Sequence, residues 1–97
     1  MIENVSVSTR RLKYKSKFIE LKLSCGDAGL LHVEIIAPSS GLEKSSFVKT
    51  AAVISKLVYS GIRKRAFILG KLEKLINVDN DVLLFMKNVV KNYLPLE

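Results

Sequence analysis

Apolar residues alternate with polar ones in the first part of the chain and recur at helical spacing in the second part. In the first part, Val5 and Val7 share one face of an extended stretch, and Leu12 and Tyr14 share one face of its continuation. Because side chains two positions apart lie on the same face of a strand, this pattern predicts a first strand. The same alternation predicts two more strands, KFIELKLS at residues 17–24 and LLHVEIIA at residues 30–37.

The breaks between these strands are also visible. The alternation slips by one position between Tyr14 and Ile19, so we expect a bulge or turn near Lys15–Lys17. Cys25–Gly29 supplies the glycines and the aspartate of a short hairpin connection, and Pro38–Gly41 ends the sheet.

From Leu42 onward the spacing is that of helices. Phe47, Ala51, Ile54 and Val58 form the stripe of a first helix, which Val48, Ala52 and Val53 are expected to widen. Gly61 stands where a left-handed C-terminal cap would lie. A second helix is predicted from about Arg63 to Ile76, with apolar positions at Phe67, Ile68, Leu72, Leu75 and Ile76. A third begins after Asp79 or Asn80 as the cap, presents Val82, Phe85, Val89 and Tyr93, and ends at Pro95.

Together these elements predict one α+β domain spanning residues 1–97. The economical architecture is a three-stranded antiparallel sheet followed by three helices packed on one face. No stretch reaches the ~18 uncharged apolar residues of a membrane span, and no secretory pattern opens the chain. A single cysteine cannot form an internal disulfide, which fits a cytoplasmic location.

The chain carries a net charge of +7, and the excess lies in two segments. Residues 10–22 hold six cations against one acid, and residues 63–74 hold five against one. If the first segment is extended throughout, alternation projects Arg11, Lys13, Lys15 and Lys17 from one face as a ridge, with Tyr14 and Phe18 nearby for stacking on bases or packing in the core. Cations at a helix start oppose the helix dipole, so Arg63, Lys64 and Arg65 suggest a role other than helix stability.

The candidate phosphate-binding residues are therefore Arg10, Arg11, Lys13, Tyr14, Lys15, Lys17, Arg63, Lys64 and Arg65. Both basic segments have two open interpretations, a solvated charged surface and an anion-binding surface.

Several short motifs follow one another in a recognisable order between Lys17 and about Asn92. They are Cys25-Gly26 at a strand end, Lys44-Ser45-Ser46 before the first helix, Val58-Tyr59-Ser60-Gly61-Ile62 at its exit, Leu69-Gly70-Lys71-Leu72-Glu73-Lys74-Leu75-Ile76, and Val78-Asp79-Asn80-Asp81. This order resembles the TSCPD domain, which occurs at the C-terminal end of adenosylcobalamin-dependent ribonucleotide reductases and as small stand-alone proteins. The chain departs from the family pattern where a glycine is missing beside Lys44, and only Asp81 survives of the S-C-P-D motif.

The loss of the second cysteine bears on metal binding. Two cysteines could in principle bind zinc in a family member, but Cys25, His32, Asp27, Asp79 and Asp81 do not make the four-ligand set of a structural zinc site, so we expect neither a metal nor a cofactor. Cys25 is better explained as a small buried residue beside a turn than as a reactive thiol, and His32 as an outward-facing strand residue.

No catalytic constellation is present, so we expect no enzyme activity. Three hypotheses remain. The leading one is a small basic module that binds single-stranded nucleic acid or nucleotides. The second, implied by the resemblance, is an accessory module that docks on a ribonucleotide reductase or another enzyme. The third is an oligomer that holds a nucleotide-like ligand at a subunit interface, and a homodimer is the expected assembly.

Overall fold

The computed structural model describes residues 7–24, 30–35, 41–94 and 96–97, and for the third strand it describes the backbone. Three strands precede three helices: β1 (Val7–Tyr14), β2 (Lys17–Ser24), β3 (Leu30–Ile35), α1 (Gly41–Tyr59), α2 (Arg65–Glu73) and α3 (Asn80–Asn92). The predicted α+β class is confirmed.

The strands form an antiparallel sheet in the order β1-β2-β3. β1 and β2 are joined by a two-residue turn at Lys15–Ser16, where the slip in the apolar pattern predicts a break. Lys15 has a φ of 55°, in the left-handed region that non-glycine residues rarely adopt. Tyr14 and Lys17 are Cα partners across this turn.

One face of the β1–β2 hairpin is covered by the helices. Tyr14, Ile19 and Leu21 point into the core from this face. α1 packs against β3 and α3, whereas α2 packs against α1 and α3. The helices complete the core with the following buried residues: Phe47, Ala51, Ile54, Ile68, Leu72, Val82, Met86, Val89 and Val90.

Helix α1 ends as its sequence predicts. Gly61 has a φ of 92°, and its N–H donates to Val58 O while the N–H of Ile62 donates to Leu57 O, both at 3.0 Å. This pair of hydrogen bonds is a Schellman motif, in which glycine adopts the left-handed conformation without the steric cost of a Cβ.

The expectation that Val48 and Ala52 widen the buried stripe of α1 is wrong. Val48 is 63% exposed and Ala52 is exposed. The core side of the helix is already occupied by Phe47, Ala51 and Ile54, which lie on the opposite side of the helix axis.

Helix α2 is shorter than predicted, since it begins at Arg65 and ends at Glu73. Its N-cap, Lys64, still has extended backbone angles (φ −80°, ψ 115°). Beyond the helix Asn77 adopts a φ of 57°, and Ile76, expected on the apolar stripe, is 77% exposed.

Asp79 caps helix α3, as one of the two predicted alternatives. Its carboxylate accepts hydrogen bonds from the N–H groups of Asp81 (2.9 Å) and Val82 (3.2 Å). The backbone N–H of Asp79 donates in turn to Ser46 Oγ at 2.8 Å, which ties the start of α3 to α1.

The predicted turn at Cys25–Gly29, the beginning of the first strand at Val5, the breaker at residues 38–40 and Pro95 lie outside the described residues. So does the predicted outward direction of the His32 side chain. No helix in the described part of the chain has the length and apolar character needed to cross a membrane.

Candidate functional site

The basic segment at residues 10–17 does not form a single ridge. The Lys15–Ser16 turn interrupts the extended backbone, so the alternation starts again in β2. Arg11 and Lys13 therefore lie on the sheet face away from the helices, whereas Lys17 lies on the helix-covered face beside Tyr14. The four cations expected in one row are therefore divided between the two faces of the sheet and the turn, which holds Lys15.

Lys15 and Lys17 are held by carboxylates. Lys17 Nζ lies 2.8 Å from Glu43 Oε1, and both side chains are largely buried, with 17% and 9% of their surface exposed. Lys15 Nζ lies 2.9 Å from Asp81 Oδ2 and 3.8 Å from Glu43 Oε2. The hydrogen bond to Asp81 raises the pKa of Lys15 above its usual value. These two lysines hold the hairpin turn against α1 and α3 through ion pairs with carboxylates.

Arg10 lies on the helix side of β1. Its guanidinium stacks over the Tyr93 ring, 5.2 Å from the ring centroid, at the C-terminal end of α3. The Lys15–Asp81 pair lies at the other end of the same helix. The C-terminal end of α3 is therefore attached to β1 through Arg10, and its N-terminal end is attached through Lys15 to the turn that follows β1.

Tyr14 lies in the core rather than on a binding surface. It is 5% exposed and makes edge-to-face contacts with Phe47 and Phe85, each with ring centroids 5.2 Å apart. Burial raises the pKa of its hydroxyl group, which has no hydrogen-bond partner among the described residues. Stacking on a base would require Tyr14 to leave this cluster.

The arginines that precede and open α2 bind the carbonyl ends of the other two helices. Arg63 Nη1 donates to Val58 O at 3.1 Å. Arg65 Nε donates to Val90 O at 3.1 Å, and its Nη2 donates to Leu96 O at 3.3 Å. A cation at a helix C-terminus is favourable for the dipole, so both arginines have a structural role.

This structural role was missed by the sequence argument, which considered only the dipole of α2. Lys64 differs from both arginines because its exposed side chain makes no hydrogen bond or ion pair with any described residue, whereas theirs donate to backbone carbonyl groups.

The open face of the β1–β2 hairpin holds the remaining cations around an exposed aromatic ring. Phe18 is 47% exposed, and Lys13 is its Cα partner on β1. The Arg11 guanidinium lies 6.0 Å from the centroid of the Phe18 ring. Lys22 lies on the same face of β2. The sequence argument counted Lys22 in the basic segment but not among the site residues, although it shares the parity of Phe18 along β2.

Glu20 partly neutralises this face. Its carboxylate oxygens lie 3.7 Å from Arg11 Nη2 and 3.8 Å from Lys22 Nζ. Glu34 is the Cα partner of Glu20 on β3, so the cations concentrate toward β1. Lys13, at the edge, is exposed and forms no ion pair with any described residue.

A shallow groove of about 410 Å³ continues from Lys13 between β1 and α3. Asn88 and Asn92 line it one helical turn apart, with Leu12, Phe85 and Val89 contributing apolar surface. Side-chain amides can both donate and accept hydrogen bonds, so the groove adds polar contacts next to the cationic edge.

No group of three His, Cys, Asp or Glu residues arranged as metal ligands occurs among the residues that the structure describes. Comparison of the chain with models of protein families, with curated proteins and with solved structures gives no match.

Proposed function

We propose that the protein binds single-stranded nucleic acid across the open face of its sheet. The observation that supports this proposal is the exposed ring of Phe18, which lies among Arg11, Lys13 and Lys22 on the face opposite the helices. An aromatic ring stacks on any base, and flanking cations attract the phosphates on either side of it. Arg11 and Lys13 are retained from the sequence prediction, and Phe18 replaces Tyr14 as the stacking group.

In this proposal the nucleic acid binds to a sheet face formed by all three strands. The register pairs β3 with β2 along its length. We infer that the three-helix layer, in which α1 packs against β3 and α2 packs on α1 and α3, lies on one side of the sheet and leaves the other side open across three strands. A cytoplasmic location, where nucleic acids are accessible, is part of the same proposal.

The test is binding of a fluorescent single-stranded oligonucleotide at a series of salt concentrations. If Arg11, Lys13 and Lys22 each contact a phosphate, the logarithm of the binding constant should fall with the logarithm of the salt concentration with a slope of about −2. Phe18→Ala should weaken binding by about 1–3 kcal/mol with little change in slope, since it removes a stacking contact. Arg11→Ala/Lys13→Ala should reduce the slope to about −0.7.

A charge-matched control separates the site from general attraction. Lys74→Ala/Lys91→Ala removes two exposed cations from α2's end and from α3, away from the open face. This variant should keep most of the affinity. Equal losses in the two double variants, or no binding of the wild-type protein at low salt, would reject the proposed site.

A second candidate function is docking on a protein partner. We propose, from the order of the sequence motifs alone, that the chain is related to the TSCPD domain. That relationship implies docking on a ribonucleotide reductase. One structural observation favours protein docking in general, and it is the exposed apolar stripe of α1.

A further inference from the structure

Helix α1 has a second apolar stripe that faces solvent. Val48 and Tyr59 are 63% and 64% exposed, and Ala52 between them is exposed as well. These positions are four and seven residues apart, so they lie on one line along the helix, about 16 Å from end to end at 1.5 Å per residue. The half-buried Ser55 lies on the same line between Ala52 and Tyr59, so three of its four positions are apolar. Exposed apolar residues aligned on the outside of a helix are typical of a helix that packs against another on that side.

Lysines border this stripe on both sides. At 100° per residue, Lys44 falls on one flank and Lys49 and Lys56 on the other, and all three are exposed. The single acidic residue of α1, Glu43, is buried on the core side. The outward side of the helix is thus an apolar line between cations.

This charge pattern selects the partner. Packing against α1 of a second copy would bring lysine borders together and repel. A helix with apolar residues on one face and carboxylates on both flanks would bury the Val48–Tyr59 line and pair with the lysines. Ala52, the smallest side chain on the line, permits close approach of such a helix.

We propose that the outward face of α1 is a docking surface for an acidic amphipathic helix of another protein. The surface consists of Val48, Ala52 and Tyr59 with the bordering Lys44, Lys49 and Lys56. It lies on the helical layer, whereas Arg11, Lys13 and Phe18 lie on the open face of the sheet, so this proposal does not rest on nucleic-acid binding.

The test uses three synthetic fluorescent peptides of about five helical turns, roughly 18 residues each. The first carries leucines on one helical face and glutamates on both flanks, the second is its scrambled sequence, and the third has lysines in place of the glutamates. Fluorescence anisotropy should show saturable binding of the first peptide and at least tenfold weaker binding of the other two.

Matched variants locate the surface. Val48→Glu should weaken binding of the acidic peptide at least tenfold, whereas Leu84→Glu, at a 57%-exposed apolar position of α3, should leave it within twofold. Lys44→Glu/Lys56→Glu should reverse the preference toward the basic peptide. Both positions of the first comparison are exposed, and circular dichroism checks that each variant is folded.

Four outcomes would overturn the proposal. They are equal binding of the acidic and scrambled peptides, equal losses for Val48→Glu and Leu84→Glu, displacement of the peptide by a single-stranded oligonucleotide, and self-association of the protein that Val48→Glu abolishes. The third outcome would make α1 part of a nucleic-acid surface, and the fourth would make a second copy the occupant.

Discussion

Glu43 lies beneath the hairpin turn, in the first turn of α1, and is 7% exposed. Its two carboxylate oxygens face Lys17 at 2.8 Å and Lys15 at 3.8 Å. A largely buried carboxylate requires such partners, because desolvation of an uncompensated charge is costly. At the scale of single residues, Lys15 and Lys17, which were expected in a basic ridge, therefore belong to a structural ion cluster around Glu43.

Glu43→Gln should destabilise the protein by about 1–3 kcal/mol, because it leaves the shielded ammonium group of Lys17 without a counter-charge. Lys17 has 17% of its side-chain surface exposed, so water compensates it only in part. Urea denaturation followed by circular dichroism measures the change.

The double variant Lys17→Met/Glu43→Leu is the informative comparison. Replacing both charges with apolar groups removes the unpaired charge, so this variant should be more stable than Glu43→Gln alone. A double variant that is less stable than Glu43→Gln would contradict the view that Lys17 needs Glu43 as its counter-charge.

At the scale of elements, Arg65 joins two helices. It begins α2, and its guanidinium donates to carbonyl groups at and beyond the end of α3. Its backbone N–H also donates to Glu97 O at 2.8 Å. The position of α2 relative to α3 therefore depends on this residue.

Arg65→Ala should lower the free energy of unfolding by about 1.5–3 kcal/mol, the range for hydrogen bonds that involve a charged group. The neighbouring Lys64→Ala, which removes an exposed cation, should change it by less than about 0.5 kcal/mol. Thermal unfolding of the two variants distinguishes them. Equal effects would contradict the structural role of Arg65.

The sequence predicted those elements whose signals are local. The turn at Lys15–Ser16, the cap at Gly61 and the cap at Asp79 each follow from a short pattern whose physical effect is confined to a few residues. The core positions Ile19, Leu21, Phe47 and Ile54 followed from periodicity.

The remaining features depend on partners distant in the chain. Arg65 was assigned to a binding surface because its acceptors, at residues 90–96, are not visible from α2 alone. Met86 and Val90 were not expected in the core, since the predicted apolar face of α3 consisted of Val82, Phe85, Val89 and Tyr93. The expected ridge of lysines and arginines was wrong for a related reason, because one turn changes the sheet face of every residue after it.

At the scale of the whole molecule, three aromatic rings join the hairpin to two helices. Tyr14 from β1, Phe47 from α1 and Phe85 from α3 contact one another edge to face, with centroid separations of 5.2 Å, 5.2 Å and 5.8 Å. Such geometry adds about 0.5–1.5 kcal/mol per pair to the burial of the rings. Phe47 takes part in two of the three contacts.

Phe47→Leu should therefore destabilise the protein by about 1–3 kcal/mol, from the lost ring contacts and incomplete filling of the site. Phe67→Leu, at a 46%-exposed position on α2, should change the stability by less than about 0.5 kcal/mol. Guanidinium denaturation of both variants checks the prediction. A similar loss in both would contradict the prediction, because Phe67 is half-exposed and lies outside the three-way contact.

The two-residue turn at Lys15–Ser16 makes the distribution of charge a property of strand register. Two chains with the same charged residues, one with this turn and one with an additional uncharged residue in it, would expose different sets of lysines to the surroundings. Total charge alone therefore gives little information on where such a protein attracts a polyanion. The electrostatic surface is encoded by the length of a turn as much as by the number of basic residues, and a change of one residue in that length would redesign it without altering a single charge.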